Sequence, residues 1–208
     1  MAELLLSTAY LPNIQYIRAI AHNSQTTIES YENFPKQSFR NRCHIYTAAG
    51  AASLSIPIVK VNSKHLTRDT KISYNEHWQS HHWHAIVSAY NSSPYFEYFK
   101  DDFEPFYRNR YEFLMDYNNN LNSLIFRILN IKTEIKFTDN YIEQGDPLYH
   151  DLRNEIHPKK RQTIGENYYD ETPYPQVFDS KHGFIPNLSI IDLIFNMGYE
   201  ASEYLKNE

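Results

Sequence analysis

Leu4-Leu5-Leu6-Ser7-Thr8-Ala9-Tyr10, then Leu11-Pro12-Asn13, then Ile14-Gln15-Tyr16-Ile17-Arg18-Ala19-Ile20-Ala21, then Thr26-Thr27-Ile28-Glu29-Ser30 open the chain. The leucine run reads as a short buried strand that Pro12 ends. Asn13 is placed to cap a helix, and Ile14, Ile17, Ile20 and Ala21 recur at helical spacing behind it. Thr26 to Ser30 reads as a second strand. Strand, loop, helix and strand in that order are the opening of an α/β unit. Ligands of open α/β sheets bind beyond the carboxyl ends of the strands, so Tyr10 and Glu29 to Glu32 are expected to face a crevice.

Outward from this unit, Cys43 to Thr47 and Ala52 to Val59 read as a hairpin around Ala48-Ala49-Gly50-Ala51. Lys60 to Asn75 is mixed, with a short strand expected at Thr70 to Ser73. A helix is expected from Asn75, as N-cap, to Tyr90. Tyr95 to Phe99 and Phe103 to Tyr107 read as aromatic turns or short helices. Tyr111 to Met115 is helical; Asp116 to Asn120 punctuates it before a second helix over Leu121 to Leu129. Thr133 to Phe137 alternates as a strand. Asp146-Pro147 signals a helix over Leu148 to Ile156. Lys159 to Tyr174 is polar and aperiodic. Ser189 starts a helix that Gly198 ends, and Glu200 to Leu205 adds a last turn. The expected fold is α/β: a mixed sheet flanked by helices, opening with a β-α-β unit and closing with a helical C-terminal extension. One domain over residues 1–208 is expected, with 1–137 as core and 138–208 as an irregular arm and helices packed on it.

The bulk chemistry narrows the function. With 208 residues, 41% hydrophobic content and a net charge of -5, the chain has enough apolar material for a core and is not basic enough for nucleic acid. The single Cys43 forms no internal disulfide, and Met1-Ala2-Glu3-Leu4-Leu5-Leu6-Ser7 lacks the cationic start of a signal peptide, so a cytoplasmic location is expected. No run reaches the ~20 apolar residues of a membrane span. Tyrosine is abundant, at 18 against 5 glycines. That suits a pocket for a polar ring such as a sugar, and equally the composition of an AT-rich genome. Glycine-rich phosphate loops, Gly-X-Ser-X-Gly elbows, Cys-X-X-Cys pairs, EF-hand loops and Rossmann fingerprints are all absent.

The helix over 75–90 holds four of the ten histidines and both tryptophans. On a wheel, Trp78, His82, Ala85, Ile86 and Ala89 share the apolar face, with Tyr90 at its edge; His77, His81 and His84 fall on a flank. The flank is a solvated edge or a three-ligand metal set; without a Cys or Glu-X-X-His context, no metal is expected. His82 must have a partner on its apolar face. It is either a core histidine bonded to a carboxylate or carbonyl, or a base in a partly dry pocket, with Asp116 as a candidate orienting carboxylate. Arg40-Asn41-Arg42 offers planar forks for phosphate or carboxylate, and Lys36 adds positive potential. Asp151, Arg153, His157, Lys159 and Lys160 read mainly as solvated. Cys43 is either a thiolate beside positive charge or an inward-packed thiol.

Tyr10-Leu11-Pro12, Lys36, Phe39-X-Asn41-Arg42, Trp78-X-X-X-His82-Trp83, Ala89-Tyr90, Pro94-Tyr95-Phe96, Asp116-X-Asn118 and Leu129-Asn130-Ile131, in that order, resemble the WbqC-like protein family. Gln176-Val177-Phe178 and Gly183-Phe184-Ile185-Pro186-Asn187-Leu188-Ser189-Ile190-Ile191-Asp192 resemble its Bacteroidetes-type members. The similarity spans nearly the whole chain. One departure is that the family's Gln-Pro before the first tyrosine motif is replaced by Ser7-Thr8-Ala9. The resemblance implies a bacterial role in surface-polysaccharide (O-antigen) gene clusters: a transferase placing an acyl, aminoacyl or glycyl group on an amino sugar, or a non-catalytic sugar- or nucleotide-binding or assembly protein. In the transferase reading His82, Arg42 and Asp116 are the catalytic candidates. Tyr10, Lys36, Asn41, Tyr90 and Asn118 would contact substrate. A small-molecule substrate and no cofactor are expected; the oligomeric state is not legible.

Overall fold

The leucine run at the N-terminus becomes the second strand of a four-stranded sheet. The computed structural model describes residues 2–60, 65–160, 163 and 165–206. Strand β1 (Glu3–Ser7) leads through helix α1 (Ile14–Ala21) to β2 (Gln25–Glu29). Asn13 caps α1 as expected, its side chain accepting from the Tyr16 amide at 3.2 Å. A hairpin follows, β3 (Arg42–Thr47) and β4 (Gly50–Ser55), turning at Gly50 with φ +99. Then come α2 (Trp78–Tyr90), α3 (Phe96–Arg108), α4 (Leu114–Ile128), β5 (Glu134–Phe137) and β6 (Tyr149–Asp151). The chain closes on α5 (Asp179–His182), α6 (Ile190–Met197) and α7 (Ala201–Lys206).

The sheet order is β5-β2-β1-β6, every pair parallel, and the antiparallel hairpin stands apart from it. Register assigns the two faces. Leu4 and Leu6 stand beside Thr26 and Ile28, which stand beside Ile135 and Phe137; His150 is level with Leu4. This face meets the helices. The other carries Glu3, Leu5, Ser7, Thr27, Glu29, Lys136 and Asp151, polar but for the buried Leu5, by the two-residue alternation of a strand. The core continues into aromatic helix packing, where Phe195 of α6 meets Tyr90, Phe96 and Phe103 with centroids at 5.3, 5.1 and 5.4 Å.

Several elements differ from the sequence expectation, each for a tertiary reason. The α2 helix starts at Trp78, and His77 rather than Asn75 stands at its cap, without a side-chain bond. Tyr74 is tied through its hydroxyl to the backbone of Tyr111, and residues 75–77 turn the chain from that anchor into the helix. The two aromatic pieces form one helix, α3, with Pro105 inside; the carbonyl that the proline leaves unpaired, that of Asp101, lies at an exposed position. Asp116 to Asn120 do not interrupt α4. Asn118 and Asn122 donate instead to groups on the loop after β1 and to the Arg40 carbonyl. No helix forms over 148–156. Asp146 makes a turn, bonding the Leu148 amide through its side chain at 2.9 Å, and the free edge of β1 captures Tyr149 to Asp151 as β6. The strand expected at 70–73 reduces to the single bridges Lys71–Phe113 and Ile58–Ile72. Residues 61–64 of that stretch, and 161, 162 and 164 of the aperiodic arm, lie outside the described residues.

Candidate functional site

The wheel sorts α2 correctly. Trp78, His82, Ile86, Ala89 and Tyr90 are buried, and His77, His81 and His84 are exposed. Among the described residues no group of three or more His, Cys, Asp or Glu side chains is arranged to hold a metal ion. His82 is 6% exposed. Its Nδ1 lies 2.9 Å from the Tyr10 hydroxyl, which is 3.1 Å from that of Tyr107. The ring also bonds the Ser55 backbone. A neutral imidazole meets both demands, one nitrogen accepting from the phenol and the other donating to the carbonyl. Burial lowers its pKa to about 4, against an opposing pull from Ser55, so the ring is neutral at pH 7. The Trp78 ring stands edge-on at 5.1 Å.

The other sequence candidates are dispersed. Arg42 is half-buried, with Nε donating to Ser55 Oγ at 3.0 Å, and Asn41 donates to the Ile56 carbonyl at 2.8 Å. Lys36 is exposed. The Tyr90 hydroxyl accepts from the Tyr46 amide at 3.1 Å and faces Asp192. Asn118 is fully buried, donating to Thr8 Oγ1 at 3.1 Å and to the Arg40 carbonyl at 2.8 Å. Asp116 is exposed on α4, one turn from Asn120, whose amide donates to its carbonyl. Tyr10 and His82 are therefore brought together; Arg42 and Asp116 make no hydrogen bond to either among the described residues.

Asp192 is a second buried ionisable group. It is 0% exposed, accepting from Tyr174 Oη at 2.6 Å and Gln176 Nε2 at 2.9 Å. Burial pushes it up to about 6 despite those bonds. Cys43 is 1% exposed and burial raises its thiol pKa, the inward-packed alternative.

The carboxyl ends of the strands gather the charge. Arg40, 3% exposed, donates from Nε and Nη2 to the two carboxylate oxygens of Glu32, each at 2.6 Å, and bonds Ser7 Oγ at 2.5 Å. Arg153, 4% exposed, grips Asp151 at 2.9 and 2.6 Å and Glu29 at 3.0 Å. Arg153 is thus a buried and Asp151 a half-buried partner rather than a solvated charge. Read as helical, they point apart; after a strand edge, two residues on, they share a side. Of the residues expected to face a crevice at the strand ends, Ser30 and Tyr31 line a hollow there, whereas Tyr10, Glu29 and Glu32 are buried.

Beside this charged wall a cleft of about 450 Å³ runs between α1, α4 and the ends of β2 and β5. The α4 side offers Asp116, Asn119, Asn120, Asn122 and Ser123. Phe126 extends that side at its apolar end, and facing it are Tyr16 of α1 and Phe137 of β5, with Thr8. An adjoining hollow of about 480 Å³ shares Asp116, Asn119 and Phe137 and adds Tyr31, Arg68 and Asp139. The Arg68 guanidinium lies over the Tyr31 ring at 4.7 Å. Sequence reasoning found Asp116 but missed the Asn119, Asn120 and Asn122 amides that line the cleft, because Asn118-Asn119-Asn120 reads as a breaker until α4 is known to run through it.

The sequence model of the WbqC-like protein family matches residues 8–157 and 159–204. The chain belongs to the WbqC-like protein family. It is also similar to the uncharacterized protein Rv1507c of Mycobacterium tuberculosis, 28% identical over 224 residues, covering 97% of this chain and 96% of that one. No solved structure matches. Within this WbqC-like chain both the Tyr10–His82 pair and the cleft fall inside the matched residues, as does Arg153. No helix among the described residues is long and apolar enough to cross a membrane.

Proposed function

We propose that this WbqC-like chain binds an amino sugar in the cleft between α1 and α4, in the surface-polysaccharide setting that the family resemblance implies. The observation that carries the proposal is the two-sided lining. The α4 wall is carboxylate, amide and hydroxyl (Asp116, Asn119, Asn120, Ser123) with Phe126 at its apolar end, and the rings of Tyr16 and Phe137 stand across from it. A pyranose has a ring of hydroxyls at its edge and a C–H face that packs on aromatic carbon. The exposed carboxylates of Asp116 and Asp139 favour a sugar that carries a free ammonium over its N-acetyl form. His82 supports the Tyr10 loop from within the core and does not touch the ligand.

Calorimetric titration with glucosamine, N-acetylglucosamine and mannose tests this. Glucosamine binds tightest, and Asp116→Asn removes its advantage over N-acetylglucosamine. His82→Gln lowers stability and leaves the affinity of the folded protein unchanged. Equal binding of all three sugars, or the same preference in Asp116→Asn, refutes the proposal.

A second reading is acyl or aminoacyl transfer to that amine, favoured by the place of Asp116 on the wall common to both hollows. As the amine attacks an acyl thioester, Asp116 would take the proton that it sheds, the Asn119 and Asn120 amides would donate to the developing oxyanion, and the C–S bond would break, the departing thiolate taking up that proton. Mass spectrometry of glucosamine incubated with acyl thioesters separates the two: an N-acyl product that Asp116→Asn abolishes supports transfer, and unchanged sugar supports binding alone.

A further inference from the structure

A hollow larger than the cleft lies at the opposite end of the sheet. A cavity of about 570 Å³ opens between the last turn of α1, α7, β6 and the segment 165–172. Helix α1 returns over the sheet, so Arg18 and His22 lie over the starts of the strands, whereas Tyr16 lines the cleft near their ends. His150 joins them because it is level with Leu4 on the helix-covered face.

The lining defines a ligand class. Arg18 pairs with Asp170 at 2.9 Å and donates to the Tyr204 carbonyl at 3.2 Å, so the two charges at the back of the cavity cancel. A charged ligand would have to break that sheltered pair; a neutral one need not. The walls are rings. Tyr168 lies between His22, at 5.9 Å and 52°, and His150, at 6.4 Å and 41°. Those tilts leave no parallel pair of faces for a flat heterocycle, but suit a puckered ring whose C–H groups meet aromatic carbon from several directions. The exposed His150 and Thr172 stand at the rim to bond hydroxyls.

Segment 165–172 is fastened in an uncommon shape. Asn167 and Tyr168 both have positive φ, 45 and 66. Gln15 donates to the Asn167 carbonyl at 2.9 Å, and Asn23 donates to the Tyr168 hydroxyl at 3.0 Å. Consecutive non-glycine residues held in the left-handed region by outside bonds mark places where a side chain's position is fixed for use. Here the side chain so fixed is the ring that forms the cavity wall. We infer that this cavity is a second, separate saccharide site, taking an uncharged sugar unit, with the Tyr168 ring as its platform.

Histidine-ring NMR of the full chain tests the inference, with His22 and His150 assigned by their Gln variants and with methyl glucoside, lactose and maltose as probes. At least one neutral saccharide shifts the His22 and His150 rings. Tyr168→Ala weakens that binding about fivefold or more, and Asn120→Ala in the α1–α4 cleft leaves it unchanged. If Tyr168→Ala does not fold, the exposed His150→Ala serves in its place. The inference is overturned if no probe shifts these rings up to its solubility limit, if adenosine or uridine shifts them and the saccharides do not, or if Asn120→Ala abolishes the effect. Failure of the amino-sugar proposal leaves the result intact, because the two sites share no lining residue.

Discussion

Replacing Asp192 with Asn should uncover a pH dependence of stability that the native protein conceals. Asp192 titrates at about 6 in the fold against an ordinary 3.8, so the folded chain holds an extra proton between those values. Its contribution is fully present below 3.8 and is lost as pH rises through about 6. At about 1.4 kcal/mol per pH unit the loss is about 3 kcal/mol. His82 has the opposite sign. Its folded value of about 4 lies below the ordinary 6.5, so its contribution is present above 6.5 and lost as pH falls to about 4, again about 3 kcal/mol. Between about pH 4 and 6 the two slopes cancel. Both side chains are almost wholly buried, so solvent screening does little to either. In Asp192→Asn the His82 slope, about 3 kcal/mol between pH 7 and pH 4, is no longer offset. Urea unfolding followed by circular dichroism at about pH 4, 5, 6 and 7 measures this. The quantity to plot is wild-type minus variant stability, from which His44, His157 and the surface carboxylates drop out. It should fall by about 3 kcal/mol from pH 4 to pH 7. A difference that is constant with pH, or that grows, refutes the account of Asp192.

Gly198→Ala should destabilise by about 2–4 kcal/mol: φ is +60, and the new Cβ would lie 2.5 Å from the Tyr95 ring. A fall in melting temperature, partly recovered by Tyr95→Ala, checks it. Arg40→Met strands Glu32 without its partner and should cost about 3–5 kcal/mol at pH 7, with Arg40→Met/Glu32→Gln recovering part in urea titrations. Cys43, buried with a raised pKa, should react with a thiol reagent only as the chain unfolds, so that its labelling rate follows the unfolding rate as urea is varied.

The β-α-β opening, the hairpin and the core face of α2 were legible because local pattern and tertiary need agree there. Asn13 caps α1 from sequence distance three, and the α2 stripe sorts on a wheel. β6 was not legible, because a three-residue strand has no period of its own and exists through the edge of β1. The polar turn of α4 was hidden for a related reason. Asn118 and Asn122 are poor helix residues in isolation, and only the β1–α1 loop and the Arg40 carbonyl, far off in sequence, satisfy their amides. His82 was correctly singled out as a histidine that needs a partner. Which partner it has depends on where Tyr10 and Ser55 fall, and no spacing in the sequence encodes that. The α4 amides became visible as a cleft wall once α4 ran unbroken past the ends of β2 and β5.

The strand order also bears on biosynthesis. β1 leaves the ribosome long before β6, yet one of its two edges is covered by β6, so Leu4 waits for His150. Until then the nascent leucine strand pairs only with β2 and presents an open edge of the kind that recruits other chains. Chains halted before residue 149 should therefore aggregate through β1. The fold is completed only once β6 closes that edge and the Ile190 amide of α6 bonds the Pro12 carbonyl.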